Sequence, residues 1–266
     1  MDLLRKYGPW ALITGASEGT GAEFARQLAD AGLHLILVAR REGPLAALAA
    51  EIRAKGVECV TATVDLSALD ASARVAEAAK GHEIGLFIAN AGADTVGSVF
   101  LDQDVRKWDE LINLNVVTTM RNCHHFGQAM RARKRGGMIL VGSGACYGGL
   151  NGLAIYTAVK AFDLCFGEAL WAELRHDGVD VLSLILGRTD TPAHRLAMEI
   201  NGIAVPDDLA KAEDVARIGL QQLPHGPVYN WGQTNDVAGS APNSPDTRRA
   251  RIVAIEELTK AYAGKH

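Results

Sequence analysis

The sequence is poor in cysteine, has no long apolar run and carries no surplus of positive charge, and each shortage excludes a class of protein. Its four cysteines, Cys59, Cys123, Cys146 and Cys165, stand at wide spacings with no C-x-x-C pair, so neither a disulfide framework nor a zinc site is expected. A reducing, cytoplasmic compartment suits them. The neighbours His124 and His125 do not change the metal reading, because adjacent helical side chains point about 100° apart and cannot readily share an ion. No segment approaches the roughly 20 apolar residues of a membrane span, and the start MDLLRK leads into no secretory apolar region. With 27 Lys and Arg against 31 Asp and Glu, the chain has no basic stripe for nucleic acid or anionic lipid. The expected partner is a small molecule, with no nucleic acid and no membrane.

What is present is an ordinary globular composition, 48% hydrophobic and 22% charged over 266 residues, enough for a sizeable core. No Pro/Ser/Gly-rich linker, charge block or internal repeat divides it, so residues 1–266 read as one domain. Short apolar, β-branched runs alternate with longer amphipathic segments, as βαβ units require. Strands are expected at 10–14, 33–39, 57–64, 84–89, 137–141, 179–186 and near 227–230, and helices at about 21–31, 44–55, 68–80, 105–133, 155–176 and 212–223. Several strands are apolar without alternation, as strands buried on both faces should be. The implied fold class is α/β, a doubly wound parallel sheet of about seven strands with helices on both faces. Its ligand belongs at the carboxyl ends of the strands.

At the first such end, LITGASEGTGAEF runs from an apolar strand through Gly15, Gly19 and Gly21 straight into a helix. Glycine lets backbone approach a pyrophosphate, and the helix start offers unpaired N–H groups. The spacing is G-x-x-x-G-x-G, not the commoner G-x-G-x-x-G, and a tight turn also uses glycine for steric reasons alone. At the second strand end, LILVARRE presents Arg40 and Arg41 where a carboxylate would select a free ribose hydroxyl. Guanidinium groups suit a 2′-phosphate, so the reading leans to NADP(H), with NAD(H) as the alternative; Glu18 and Glu42 add negative charge nearby.

The stretch SGACYGGLNGLAIYTAVK, residues 143–160, contains two tyrosines and one lysine. Tyr156 and Lys160 are four apart on an expected helix and share a face, and an ammonium beside a phenol favours the phenolate. Tyr147 has no cation within four positions and lies among Gly144, Gly148, Gly149 and Gly152, which suits a pocket wall better than an acid. Tyr156 is therefore the candidate general acid and base.

In combination these motifs resemble the short-chain dehydrogenase/reductase family in its short single-domain form, over nearly the whole chain. The resemblance rests on TGASEGTG, on ANAG at 89–92, on Asn115 within INLNVV, on Ser143 thirteen residues before Tyr156, and on YTAVK. It implies a Rossmann-type fold and a catalytic tetrad of Asn115, Ser143, Tyr156 and Lys160. It further implies that Asp65 contacts adenine, Asn90 steadies the cofactor-side strand end and Thr191 holds the nicotinamide carboxamide. The remaining cofactor positions are Gly15, Ser17, Gly19, Thr20, Gly21, Arg40, Arg41, Leu66, Ala91, Gly92, Gly187 and Thr189, besides Tyr156 and Lys160 themselves.

The chain departs from the family pattern where Ala89 and Thr20 replace an asparagine and a branched residue, and where Leu186-Gly187-Arg188 stands in place of a Pro-Gly turn. Arg188 would meet an acidic substrate or, as favoured here, a solvated carboxylate. The implied reaction is hydride transfer between the nicotinamide and a carbonyl or secondary alcohol, with Ser143 and Tyr156 donating to the substrate oxygen. Lys160 would hold the phenolate and the nicotinamide ribose, and Asn115 would place a water beside Lys160. Substrate walls are sought in Ala145, Tyr147 and Leu153 and in a lid near 188–210 carrying Leu196, Met198, Ile200 and Ile203, which favours an uncharged, fairly apolar substrate. The opening YGPWALITGASEGTG resembles hydroxysteroid and long-chain 3-ketoacyl reductase branches. Residues 231–266 would cover the active site or a subunit contact. The resemblance also implies a homodimer or homotetramer packed through the two long helices. The alternatives are a non-catalytic NAD(P)-binding regulator and an epimerase or dehydratase, which shares Tyr-x-x-x-Lys.

Overall fold

In the computed structural model the described residues are 2–92, 98–149, 151–200, 202, 204–231, 245–250 and 253. Strands β1 (Trp10–Thr14), β2 (His34–Ala39), β3 (Cys59–Thr63), β4 (Ile84–Ala89), β5 (Gly136–Ser143), β6 (Val179–Leu186) and β9 (Val228–Trp231) form one parallel sheet in the order β3-β2-β1-β4-β5-β6-β9. Every residue of β1 and β4 is buried, which explains their lack of polar alternation. Within β1, Ala11 and Ile13 face one core with Phe24, Leu28 and Leu220, while Trp10 and Leu12 face a second core with Phe87, Phe126 and Trp171. The winding reverses between β1 and β4, so the crevice for a ligand opens at their carboxyl ends.

The helices that build the crevice are α2 (Gly19–Asp30) after β1, α3 (Glu42–Ala54) after β2, and α7 (Ala154–Leu174) after β5. The strands expected at 10–14, 84–89 and 179–186 match β1, β4 and β6, whereas β5 runs two residues past Val141 and carries Ser143 at its tip. The single helix expected over 105–133 is instead α5 (Val105–Ile112), a π-helical turn at Asn113–Val117 and α6 (Thr118–Ala132). That widened turn centres on Asn115, whose Nδ2 donates to the carbonyl of Leu111 at 2.9 Å. The helix expected at 68–80 is shorter, α4 (Ala71–Ala78).

Three features have no counterpart in the sequence reading or sharpen it. A short α1 (Leu3–Tyr7), capped by Asp2, is tied to β6 where Tyr7 donates to Asp180 at 2.6 Å. After β6 the chain makes a two-stranded parallel pair, β7 (Thr189–Asp190) with β8 (Ala210–Lys211), flanking α8 (Pro192–Ile200), which occupies the expected lid. Helix α9 (Ala212–Gln222) then returns to pack on α2. Ile203 and most of 231–266 lie outside the described residues.

Candidate active site

The turn between β1 and α2 is held in shape from the end of β4. Asn90 Nδ2 donates to the carbonyls of Thr14 at 3.2 Å and Gly15 at 3.1 Å, while the backbone N–H groups of Asn90 and Ala91 donate to Thr14 Oγ1 at 3.1 and 3.3 Å. A Cβ at Gly21 would stand 2.3 Å from the Gly15 carbonyl oxygen, so only glycine lets the helix start so close under the turn. The residue that caps α2, Glu18, makes no side-chain bond to the helix and turns its carboxylate to Arg41 instead. The first-turn N–H groups of α2 are thus left to an external acceptor, the arrangement that receives a phosphate. The loop after β6 comes down on the same turn, with the methyl of Thr191 3.0 Å from where a Cβ of Gly19 would be.

At the end of β2, Arg40 and Arg41 are both exposed but differently engaged. Arg41 pairs with Glu18, whereas Arg40 makes no ion pair among the described residues and lies close enough to Asp65 to act on its charge. Asp65 accepts from the hydroxyl and the backbone N–H of Ser67 at 2.7 and 3.0 Å, and these bonds hold its carboxyl below the usual carboxylate range. Leu66, next along, is buried, and its carbonyl accepts from Thr118 at 2.9 Å.

The chemistry-bearing end of the crevice is assembled from β5, α7, β4 and the π turn. Ser143 is extended at the tip of β5, and its Oγ accepts from the N–H of Ala145 at 3.3 Å, which leaves its own proton to donate elsewhere. Lys160 is buried, donates to the carbonyl of Val141 at 3.3 Å and to Asp163 Oδ2 at 3.0 Å, and has its Nζ 6.0 Å from the Tyr156 ring centre. Burial pushes its pKa down, but Asp163, with smaller contributions from Tyr156 and Cys146, outweighs this and the lysine is held above its ordinary value. Gly92 (φ +147°) closes the floor: a Cβ there would fall 2.3 Å from Asn115 Oδ1 and 3.0 Å from Lys160 Nζ. Asn115 Oδ1 is buried and accepts no bond within the described protein, which suits a bound water or ligand hydroxyl. An uncapped helix start, a glycine cradle and this unpartnered acceptor fit a dinucleotide laid from the end of β2 to the Tyr156 face.

The model of the short chain dehydrogenase family matches residues 9–200. The chain belongs to the short-chain dehydrogenase family. It is 38% identical over 180 residues to a very-long-chain 3-oxoacyl-CoA reductase of Laccaria bicolor, covering 66% of this chain and 53% of that one, so it spans about half of that relative's length. Among solved structures it resembles one that concerns 7beta-hydroxysteroid dehydrogenase stereoselectivity, at TM-score 0.81 and 31% identity over 95% of this chain and 99% of that one. It also resembles a short-chain dehydrogenase of Sphingobium yanoikuyae in complex with NADPH, at TM-score 0.77 and 26% identity over 97% and 96% of the two chains.

The remaining candidates fall around the same crevice. Gly187 donates to the carbonyl of Trp231 at 2.8 Å, Thr189 donates to the carbonyl of Gly187 at 3.3 Å, and Thr191 Oγ1 accepts from the N–H of His194 at 3.2 Å, setting the start of α8. Arg188 stands 3.6 Å from Asp208, both exposed. Tyr147 packs against Cys146, Leu164, Ile185 and Val228. In α8, Met198 is buried while Leu196 and Ile200 are exposed; Leu153 is half-buried just before α7. Sequence reading passed over Thr14, which ties β4 to the turn, and Asp163, although a carboxylate three residues after Lys160 in a mostly apolar helix was a visible signal.

Proposed function

We propose that this chain is an NADP(H)-dependent oxidoreductase that interconverts a carbonyl and a secondary alcohol, with Tyr156 as general acid and base. The observation that carries the reading is the buried Lys160 ammonium, fixed between Val141 and Asp163 and facing the ring of Tyr156. When bound, the nicotinamide supplies hydride to the substrate carbon or accepts it. The hydroxyls of Ser143 and Tyr156 donate to the substrate oxygen, where negative charge develops during reduction, and Tyr156 delivers its proton there. Lys160 stabilises the resulting phenolate, and Asn115 Oδ1 orients a water between Lys160 and solvent. Asn90 and the glycine turn would hold the pyrophosphate end, and Arg40 would take the 2′-phosphate. The preference for NADP(H) is supported by Arg40 and by the NADPH-bound relative.

The apolar face of α8 and the turn after β5 suit a substrate that is apolar around its reacting carbon, and a hydroxysteroid and the acyl chain of a 3-oxoacyl-CoA, named for the relatives, are both of that kind. No helix among the described residues is long and apolar enough to cross a membrane, and cytoplasmic residence is the reading we adopt. We also infer a homodimer or homotetramer, supported by exposed apolar side chains at Leu101, Val105 and Met120 on and beside the long helices. Light scattering at micromolar concentration tests it, and a single monomeric species overturns it.

The decisive experiment mixes the purified protein with NADPH and a panel of steroid ketones, 3-oxoacyl thioesters and small ketones, following loss of NADPH absorbance. Turnover with at least one apolar ketone is the expected result. Tight NADPH binding with no turnover across the panel would favour the regulator, and exchange of substrate protons without net cofactor oxidation would favour an epimerase.

A further inference from the structure

Lys160 rests on a carboxylate that the proposed chemistry does not use. Asp163 lies one turn further along α7, and the two side chains are only 4% and 6% exposed, with Oδ2 3.0 Å from Nζ. Lys160 is its only side-chain hydrogen-bonding partner among the described residues, while its backbone carbonyl accepts from Ser183 Oγ at 3.3 Å and fixes that turn of helix against β6. A carboxylate at this depth is costly unless paired, and so is an ammonium. The other titratable groups facing the pair are Tyr156 on the same helix, Cys146 from the turn after β5 and Cys123 from α6. Burial pushes both thiols up, so they stay neutral near pH 7; it pushes the Asp163 carboxyl up as well, against the pull of Lys160, and Asp163 is the one carboxyl group beside Lys160 among the described residues.

Resting on the reading above, we propose that Asp163 is a positioning residue for Lys160. It holds the ammonium protonated at depth and, with the carbonyl of Val141, takes two of its three N–H donors, leaving the third for the space above Gly92 that Asn115 Oδ1 borders. A lysine without this anion would be free to turn along the helix and, in so dry a position, would give up its proton more readily. Removing a negative charge from the pair eases proton loss from Lys160 and from Tyr156 alike, so the sign of the effect does not depend on which group titrates.

The expected consequence of Asp163→Asn is that the alkaline limb of kcat for ketone reduction moves to lower pH by about one unit or more, with turnover near neutral pH falling about tenfold. Asp163→Glu, which keeps the charge, brings the limb back toward the wild-type position. A purely structural aspartate would lower the melting temperature and leave the limb in place, and that outcome overturns the proposal. A second measurement needs no turnover: the side-chain NMR signals of Lys160 in the wild-type protein should stay those of an ammonium well past neutral pH, and titrate at lower pH in Asp163→Asn. A neutral Lys160 at pH 7 in the wild-type protein, or the same midpoint in both proteins, also overturns it. Should Asp163→Asn fail to fold, Asp163→Glu and the wild-type titration decide the matter. Failure of every ketone to turn over would count against the catalytic reading while leaving this titration readable.

Discussion

The hydroxyl of Tyr147 donates a 2.6 Å hydrogen bond to Oδ1 of Asn230, joining the turn after β5 to the last strand of the sheet. Its proton is committed to a structural partner, and burial, with a smaller push from Cys146, raises its pKa to about 12. Tyr156 differs in having the Lys160 ammonium beneath its ring. Of the two tyrosines of one loop-helix segment, Tyr147 is thereby engaged by the fold, and Tyr156 is the one beside a cation.

Tyr156→Phe should therefore lower turnover by about a hundredfold or more with little change in NADPH binding, the scale expected for losing a positioned acid. Tyr147→Phe should keep activity within a few-fold and cost about 1 kcal/mol of stability through the bond to Asn230. Steady-state kinetics and denaturant melts of the two variants side by side check this; equal loss of activity would reverse the assignment.

Arg40 and Arg41 should not contribute equally to cofactor choice, because Arg41 is already paired with Glu18. Arg40→Asp should weaken NADPH more than NADH, erasing a preference of about tenfold or more, and Arg41→Ala should do less. Both arginines are exposed, so rising ionic strength should narrow the wild-type preference. Michaelis constants for the two cofactors at low and high salt test the point.

Asn90→Ala removes two bonds that hold the carbonyls of Thr14 and Gly15, and should loosen the phosphate turn without touching Tyr156. NADPH affinity should fall about tenfold, with kcat at saturating cofactor nearly retained. Gly21→Ala sets a methyl against the Gly15 carbonyl and should abolish tight binding altogether. Fluorescence titration with NADPH measures both.

Arg248 reaches back from residues 245–250 to clasp Glu168 of α7 through two bonds, 2.5 and 2.8 Å, with side chains only 11% and 5% exposed. Beside it, Arg249 lies 4.9 Å from the ring centre of Trp171 and donates to the carbonyl of Gly226. Arg248→Ala strands a buried carboxylate and should cost about 3 kcal/mol, read as a lower denaturation midpoint, whereas Arg249→Ala at the exposed edge should cost far less. Equal effects would show that the Glu168 pair is not what anchors this segment.

The strands were legible in the chain because burial on both faces demands predominantly apolar runs, and 10–14 and 84–89 are such runs, with 179–186 apolar apart from Asp180 and Ser183. The glycine turn and the Tyr156–Lys160 face were legible too, because each is a local pattern whose geometry one helix or one turn fixes by itself. Other features depend on segments far apart in sequence. The apolar pattern over 105–133 continues unbroken through the π turn, so only packing against Gly92 and the buried amide of Asn115 reveals that the helix opens there. Arg40, directly after the strand, is already the better candidate of the two in the sequence, and the ion pair of Arg41 with Glu18, which the sequence does not fix, sets them further apart. Tyr147 acquired its partner from residue 230, Glu168 from residue 248, and Thr14 its place from the end of β4. A chain by itself determines which residues must be buried and which local turns are allowed; which buried polar atoms meet is decided by the tertiary packing of strands and helices, since a hydrogen bond needs its partner within about 3 Å.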